Sequence, residues 1–184
     1  MDRAVAAYLS GDSRLEAREF ELARGAIART GRIDLLARAE LMRCAAHAAA
    51  LVFEPCEGFE KLRVDAGTPE RAYADFLSGR LQPQDVASLP PEQRAAAAAA
   101  PGSEVPVSVL QAIGDPFSRL VAAAVLFQSG RASPQAIALA VDTASSQGWR
   151  RPLLAWLHVQ LRLAERSGDA AEAGRLQRRI DLVQ

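Results

Sequence analysis

Lysine is almost missing from this chain. Of 22 basic residues in 184, Lys61 alone is not arginine. Lysine-dependent covalent chemistry could rest only there, and its neighbours Glu60 and Arg63 read as a solvated helix face. Aromatics are scarce too, at 5%. No Gly-x-x-x-x-Gly-Lys, Gly-x-Gly-x-x-Gly or Gly-x-Ser-x-Gly stretch occurs, so phosphate-loop, dinucleotide and nucleophile-elbow chemistry lack their local signatures. No Glu-x-x-His pair is present, which excludes a di-iron bundle site. No apolar run reaches about 18 residues, so no segment reads as a membrane span. Acidic and basic residues balance at a formal net charge of zero, which argues against a general nucleic-acid binder.

Alanine and leucine are what the chain has in plenty. Hydrophobic residues make up 49%, enough for a packed core. Alanine suits closely packed helices and is depleted in strands. Arginine in place of lysine, together with abundant alanine, is the usage a GC-rich genome produces. The start, Met1-Asp2-Arg3 leading into Ala4-Val5-Ala6-Ala7, has neither the basic nor the apolar region of a signal peptide. Two locations stay open: periplasm or cell envelope, with the export signal absent from this sequence, or cytoplasm.

A short pattern punctuates the chain: Ser10-Gly11-Asp12, Thr30-Gly31-Arg32, Ser78-Gly79-Arg80, Ser129-Gly130-Arg131 and Ser167-Gly168-Asp169. Glycine is favoured just past a helix C-terminus because it enters the left-handed region without a Cβ penalty. Five stops with short connections predict about eight to ten helices in antiparallel hairpins, an all-α fold. Over 15–29, Leu15, Leu22 and Ile27 with Ala23 and Ala26 share a face. Over 33–53, Ile33, Leu36, Leu41, Cys44, Ala48 and Leu51-Val52 form a stripe. This helix is expected to run to the break at Pro55. A helix follows over 69–77, with Thr68 as its expected cap, and a short one over 83–89. Pro90-Pro91 begins an alanine helix, Ala95 to Ala100, stopped by Pro101-Gly102. The expected organisation is an N-terminal helical subdomain (1–89), an Ala/Pro-rich connection (90–115) and C-terminal hairpins (116–184), packed as one unit. Ser133 and Asp169 are expected caps in the last part.

The hairpin length of about 35 residues resembles the tetratricopeptide family of helical repeats. Gly168-Asp169-Ala170-Ala171-Glu172-Ala173 looks like that family's turn into the second helix of a repeat. Ala123 stands where the family wants a small residue. The resemblance covers mainly 116–184 and weakly 12–53. Leu161 replaces a small residue, most aromatic positions are aliphatic and the terminal proline is missing. The resemblance implies a short superhelix whose groove binds a peptide or partner helix. The composition and single cysteine pair also have the general look of small helical proteobacterial envelope lipoproteins.

Cys44 and Cys56 raise the question of a disulfide. Were the helix unbroken to Phe53, their Cα atoms would stand about 13 Å apart, against the roughly 4.4–6.8 Å a bridge needs. A chain reversal near Pro55 or an early helix end would permit it. One buried thiol and one loop thiol is the alternative. Cys44-x-x-His47 with Cys56 has partial metal-ligand spacing but lacks a fourth ligand, and a Cys44–His47 nucleophile pair is weaker than a core reading. No metal, cofactor or catalytic residue is therefore expected. Trp149, Trp156 and His158 lie close in sequence, and with Arg162 and Arg175 they are the candidate binding surface. Residues 54–115 are net acidic and 149–184 net basic, an asymmetry that can steer a charged partner or pair the two halves. The expected role is a non-catalytic module that binds a protein or peptide. The alternative is a carrier with a small-molecule or lipid pocket between hairpins.

Overall fold

The computed structural model describes residues 1–99 and 102–184. Within them the chain forms eleven α-helices and one 3-10 helix, with no strand. The helices are α1 (Asp2–Ser10), α2 (Ser13–Ala28), α3 (Ile33–Ala49), α4 (Glu57–Glu60), α5 (Thr68–Leu77), the 3-10 helix (Pro83–Ser88), α6 (Pro91–Ala97), α7 (Val107–Gln111), α8 (Pro116–Gln128), α9 (Pro134–Ser146), α10 (Arg150–Ser167) and α11 (Ala170–Val183). The fold is all-α, as the alanine-rich composition implied.

All five glycine stops take left-handed backbone, with φ from 66° at Gly31 to 98° at Gly11. At Gly11 the N–H donates to the Tyr8 carbonyl at 3.0 Å, and the Asp12 N–H to Ala7 at 2.9 Å. These two bonds satisfy carbonyls that the helix end would orphan. Asp12, Asp115, Ser133 and Asp169 start the next helices, each accepting from a backbone N–H three residues on. Thr68 is already the first residue of α5, and Gly67 occupies the cap position.

Helix α3 is the centre of the molecule. It packs against α1, α2, α4, α5 and α8, so a single apolar stripe does not describe it. Ala37, Ala39, Leu41, Ala45, Ala46, Ala48 and Ala49 are all buried, as expected for a helix packed on most of its circumference, with Arg38 and Met42 on its open side. Ile33, placed in the stripe by its spacing, is exposed at the helix start. Helix α2 differs more. Leu15 and Leu22 are exposed, and the buried side chains are Glu16 and Phe20. The reason is Arg43 of α3. Its guanidinium lies 4.5 Å from the Phe20 ring centre, and its Nε donates to Glu16 at 2.7 Å. A charge-paired i, i+4 face has displaced the leucine face.

Glu16 is one of three buried carboxylates around α3. Glu40 accepts from Arg24 at 2.9 Å and Glu70 from Arg38 at 2.7 Å. Each acid is almost wholly covered while its arginine is partly open to solvent. The acid avoids an unpaired buried charge, and the arginine keeps much of its hydration. Glu40 also explains Gly58 in α4. A Cβ there would collide with the Glu40 carboxylate. Gly58→Ala should therefore destabilise the fold by about 1–3 kcal/mol, because Glu40 must leave its buried seat beside Arg24. Chemical denaturation checks this; an unchanged midpoint would show that Glu40 relocates freely.

Helix α3 ends at Ala49, short of the expected Phe53. Leu51 then adopts φ 60°, the one left-handed non-glycine among the described residues. The Val52 N–H returns to the His47 carbonyl at 3.0 Å. The chain doubles back, and Cys44 and Cys56 come within 5.9 Å, Cα to Cα, and form a disulfide.

The C-terminal part follows the expected rhythm. Helices α8 to α11 pack consecutively, α8 on α9, α9 on α10 and α10 on α11, through short antiparallel connections. The stretch 90–115 contributes α6 and α7, both packed on α8. Ala100 and Pro101, the expected end and stop of the alanine helix, lie outside the described residues. Contacts of α3 with α8 and of α1 with α10 join the two halves. One hydrophobic core runs from Leu9 and Leu41 through Leu120 and Trp156 to Ile180.

Candidate functional site

Five elements leave a groove between them. Helix α3 supplies Leu41 and Met42, α5 supplies Tyr73, the end of the 3-10 helix supplies Leu89, α6 supplies Gln93 and α8 supplies Phe117. Its volume is about 490 Å³. The elements meet here because α3 is central: α5 and α8 both lie against it, and α6 seats on α8. Leu41, Leu89 and Gln93 are buried and form the floor. Tyr73 and Phe117 are half-buried walls. Met42 is 41% exposed at the rim, next to the buried Leu41. The Arg38–Glu70 pair closes one side.

The polar groups of the groove are few. Gln93 is 1% exposed, and its Nε2 donates to the Ser118 carbonyl at 3.0 Å. That bond fixes the amide orientation, since only the nitrogen can face a carbonyl. Oε1 then has no hydrogen-bond partner. The Tyr73 phenol is pushed above its ordinary pKa by burial, and the Asp115 carboxylate adds to the shift. It stays a neutral hydroxyl at physiological pH. The Asp115 carboxylate itself accepts the Ser118 N–H at 2.7 Å, capping α8.

The candidates drawn from the sequence lie elsewhere. Trp156 is fully buried, with its indole N–H donating to the Ala49 carbonyl at 3.1 Å and its ring edge-on to Phe127. It is a core residue and offers no binding surface. Trp149 is half-buried at the α10 cap and packs on the core. His158 is exposed, with Nδ1 bonded to the Leu154 carbonyl of its own helix at 2.7 Å. Two residues apart on a helix, Trp156 and His158 point to different sides, so no aromatic–imidazole pocket forms. Arg162 is exposed, and Arg175 is paired with Glu172 one turn earlier.

Cys44 carries no thiol, because it is bonded to Cys56. His47, its supposed partner, stacks on Tyr8 with ring centres 4.3 Å apart. Burial lowers its pKa, and Arg43 lowers it further; its Nε2 is unpartnered. Among the described residues no group of three or more His, Cys, Asp or Glu is placed to hold a metal ion. None of the described helices is long and apolar enough to cross a membrane. A shelf of about 370 Å³ lies beside the disulfide, between Val52, Phe53, Glu60 and Arg80. A wider hollow of about 830 Å³ has Ala99 and Gly102 in its wall, the residues that flank the undescribed pair.

Sequence reasoning did not single out the groove. Met42 offered a signal, being an apolar residue one helical turn from Arg38. Gln93 offered none, because its burial depends on a carbonyl 25 residues away. No family model, no curated protein and no solved structure matches this chain.

Proposed function

We propose that the protein is a non-catalytic interaction module whose α3–α5–α8 groove receives a segment of a partner protein or peptide. The observation that carries this reading is the groove itself, open to solvent and walled by Tyr73, Phe117 and the exposed thioether of Met42. Helical grooves with aromatic walls and a flexible methionine suit apolar anchors of a peptide. Such anchors supply most of the binding energy at interfaces. The consecutive packing of α8 to α11 is in keeping with a tetratricopeptide-like arrangement of that part. The Cys44–Cys56 bridge favours an oxidising compartment, the cell envelope over the cytoplasm.

A second reading, a small-molecule carrier, draws support from the volume. About 490 Å³ falls within the roughly 300–1,000 Å³ of ligand pockets.

Selection from a random displayed-peptide library separates the readings. The expected result is a consensus with one or two aromatic or large aliphatic positions. Met42→Asp should weaken the selected peptides by about tenfold or more, since it sets a charge at the edge of an apolar contact. The absence of a consensus, or peptides indifferent to Met42→Asp, would remove the groove from consideration.

A further inference from the structure

The chain has two histidines, His47 and His158, and His47 sits at the joint that fastens α1 to the rest of the molecule. The Tyr8 ring of α1 is 5% exposed. His47 of α3 stacks on it with ring centres 4.3 Å apart and planes 15° apart. The Arg151 guanidinium of α10 lies 4.0 Å from the same ring centre. One face of a ring cannot take both groups at these distances, so Tyr8 is clamped between α3 and α10. Arg151 also donates to Ser13, the first residue of α2, at 2.6 Å. Beside the clamp, Met1, Ala4 and Val5 close against Arg43 and Ala46 and leave no space for a water molecule.

The clamp suits a neutral imidazole and not a charged one. The buried Nε2 of His47 has no hydrogen-bond partner. A neutral ring tolerates this by carrying its proton on Nδ1, which leaves Nε2 a bare acceptor. An imidazolium carries a proton on both nitrogens, so a charged donor would be buried at Nε2 without an acceptor. The surrounding groups do not cure this. They are Tyr8 from α1, Glu16 from α2, Arg43 from α3 itself, Glu54 from the segment after α3 and Arg151 from α10. Both arginines oppose the proton. Glu16 favours it but is held by Arg43 at 2.7 Å, and Glu54 favours it from an exposed position. A cation stacked on Tyr8 gains from the ring's electrons, but Arg151 already draws on them from the opposite face. Burial is the largest effect on His47 and, with the arginines, holds its pKa below the ordinary value.

We propose that His47 is an acid-sensitive latch: proton uptake by its imidazole breaks the stack on Tyr8 and frees α1 from α3 and α10, while the α8–α11 hairpins stay folded. Above about pH 6.5, the ordinary histidine value, the closed and opened chains both hold a neutral ring, and α1 is fastened. As pH falls through that value the opened chain takes the proton first, so the closed form loses population. Opening bares Ala4, Ala7 and Leu9, all buried while α1 is in place. Mild acid thereby exposes an apolar face that neutral pH keeps covered.

Two histidines give two imidazole signals in an NMR titration, and His47 should take up its proton below about pH 6.5. Amide exchange, corrected for its own dependence on pH, should show α1 opening more often as pH falls from about 7.5 to about 5.5, by up to about tenfold per pH unit, the effect of one proton. Helix α8 should keep its protection. Ordinary carboxylates titrate near pH 4, outside this range. These readings are taken in the unsubstituted protein, so they do not depend on a variant folding. His47→Phe keeps a ring on Tyr8 and removes the proton site, so its α1 should hold equal protection at both ends of the range. His158→Gln should leave the response of α1 intact. A His47 signal that titrates at or above about pH 6.5, α1 exchange that ignores pH, or equal loss of protection in α1 and α8 overturns the latch. So does an acid response that survives in His47→Phe.

Discussion

Alkylation of the denatured, unreduced protein should add no label to Cys44 or Cys56, and two labels should appear only after reduction. The structure joins these cysteines across 12 positions. Closing a loop of that size removes entropy from the unfolded chain worth about 3 kcal/mol. The double variant Cys44→Ser/Cys56→Ser should therefore lose about that much stability, roughly 6–12 °C in Tm for a chain of this length. The loss has a local origin too. The bridge holds the segment after Leu51 against α3, where Leu51 occupies a left-handed backbone that costs a non-glycine residue about 1–2 kcal/mol. Without the bridge, 50–56 is the first segment expected to gain hydrogen exchange, and Phe59 of α4 loses its anchor. Two labels added without reductant would show that the thiols are free. An unchanged Tm in the double variant would show that packing alone enforces the reversal.

Trp156→Ala should be the most damaging single substitution in the core, costing about 3–5 kcal/mol. The side chain is fully buried, touches Phe127 edge to face and ties α10 to the last turn of α3 through the Ala49 carbonyl. Trp156→Phe separates the two contributions. It keeps most of the ring volume but strands a buried carbonyl, for about 1–3 kcal/mol. Thermal and denaturant unfolding would give both values. The structural account also expects the phenylalanine variant to loosen the end of α3, seen as faster exchange of the Leu51 and Val52 amides. If Trp156→Ala unfolds within about 3 °C of the parent, a difference near 1 kcal/mol at this size, the tryptophan does not join the two halves as described.

These two sites also mark where a reading of the sequence gives out. Its punctuation was legible. Every Ser/Thr-Gly stop became a left-handed turn, and Asp169 and Ser133 became caps. These outcomes depend on residues within one helical turn of each other. The faces were less legible where charge intervened. Leu15 and Leu22 share a face that a periodicity argument buries, yet α2 turns Glu16 and Phe20 inward to meet Arg43, 27 positions away from Glu16. Spacing along α2 carries no information about that arginine. The tryptophan–histidine cluster failed for a related reason. Proximity in sequence brought Trp156 and His158 together, and the helix then pointed them to different sides.

The groove was out of reach. Its lining comes from five elements spread over residues 38–118, and the buried oxygen of Gln93 lacks a partner because Ser118 claims the nitrogen.

By itself the sequence determined that this chain is helical, where most helices begin and end, and that it lacks several well-known catalytic signatures. Local backbone preference and capping decide such matters over a few residues, and glycine, proline, serine and aspartate state them openly. Only the tertiary structure decided which faces are buried, where α3 stops, that Cys44 meets Cys56, and where a groove opens. Each of these depends on a partner far along the chain. Trp156 takes the Ala49 carbonyl, Arg43 draws in Glu16, and packing around most of α3 weakens the periodic signal that would have shown its orientation.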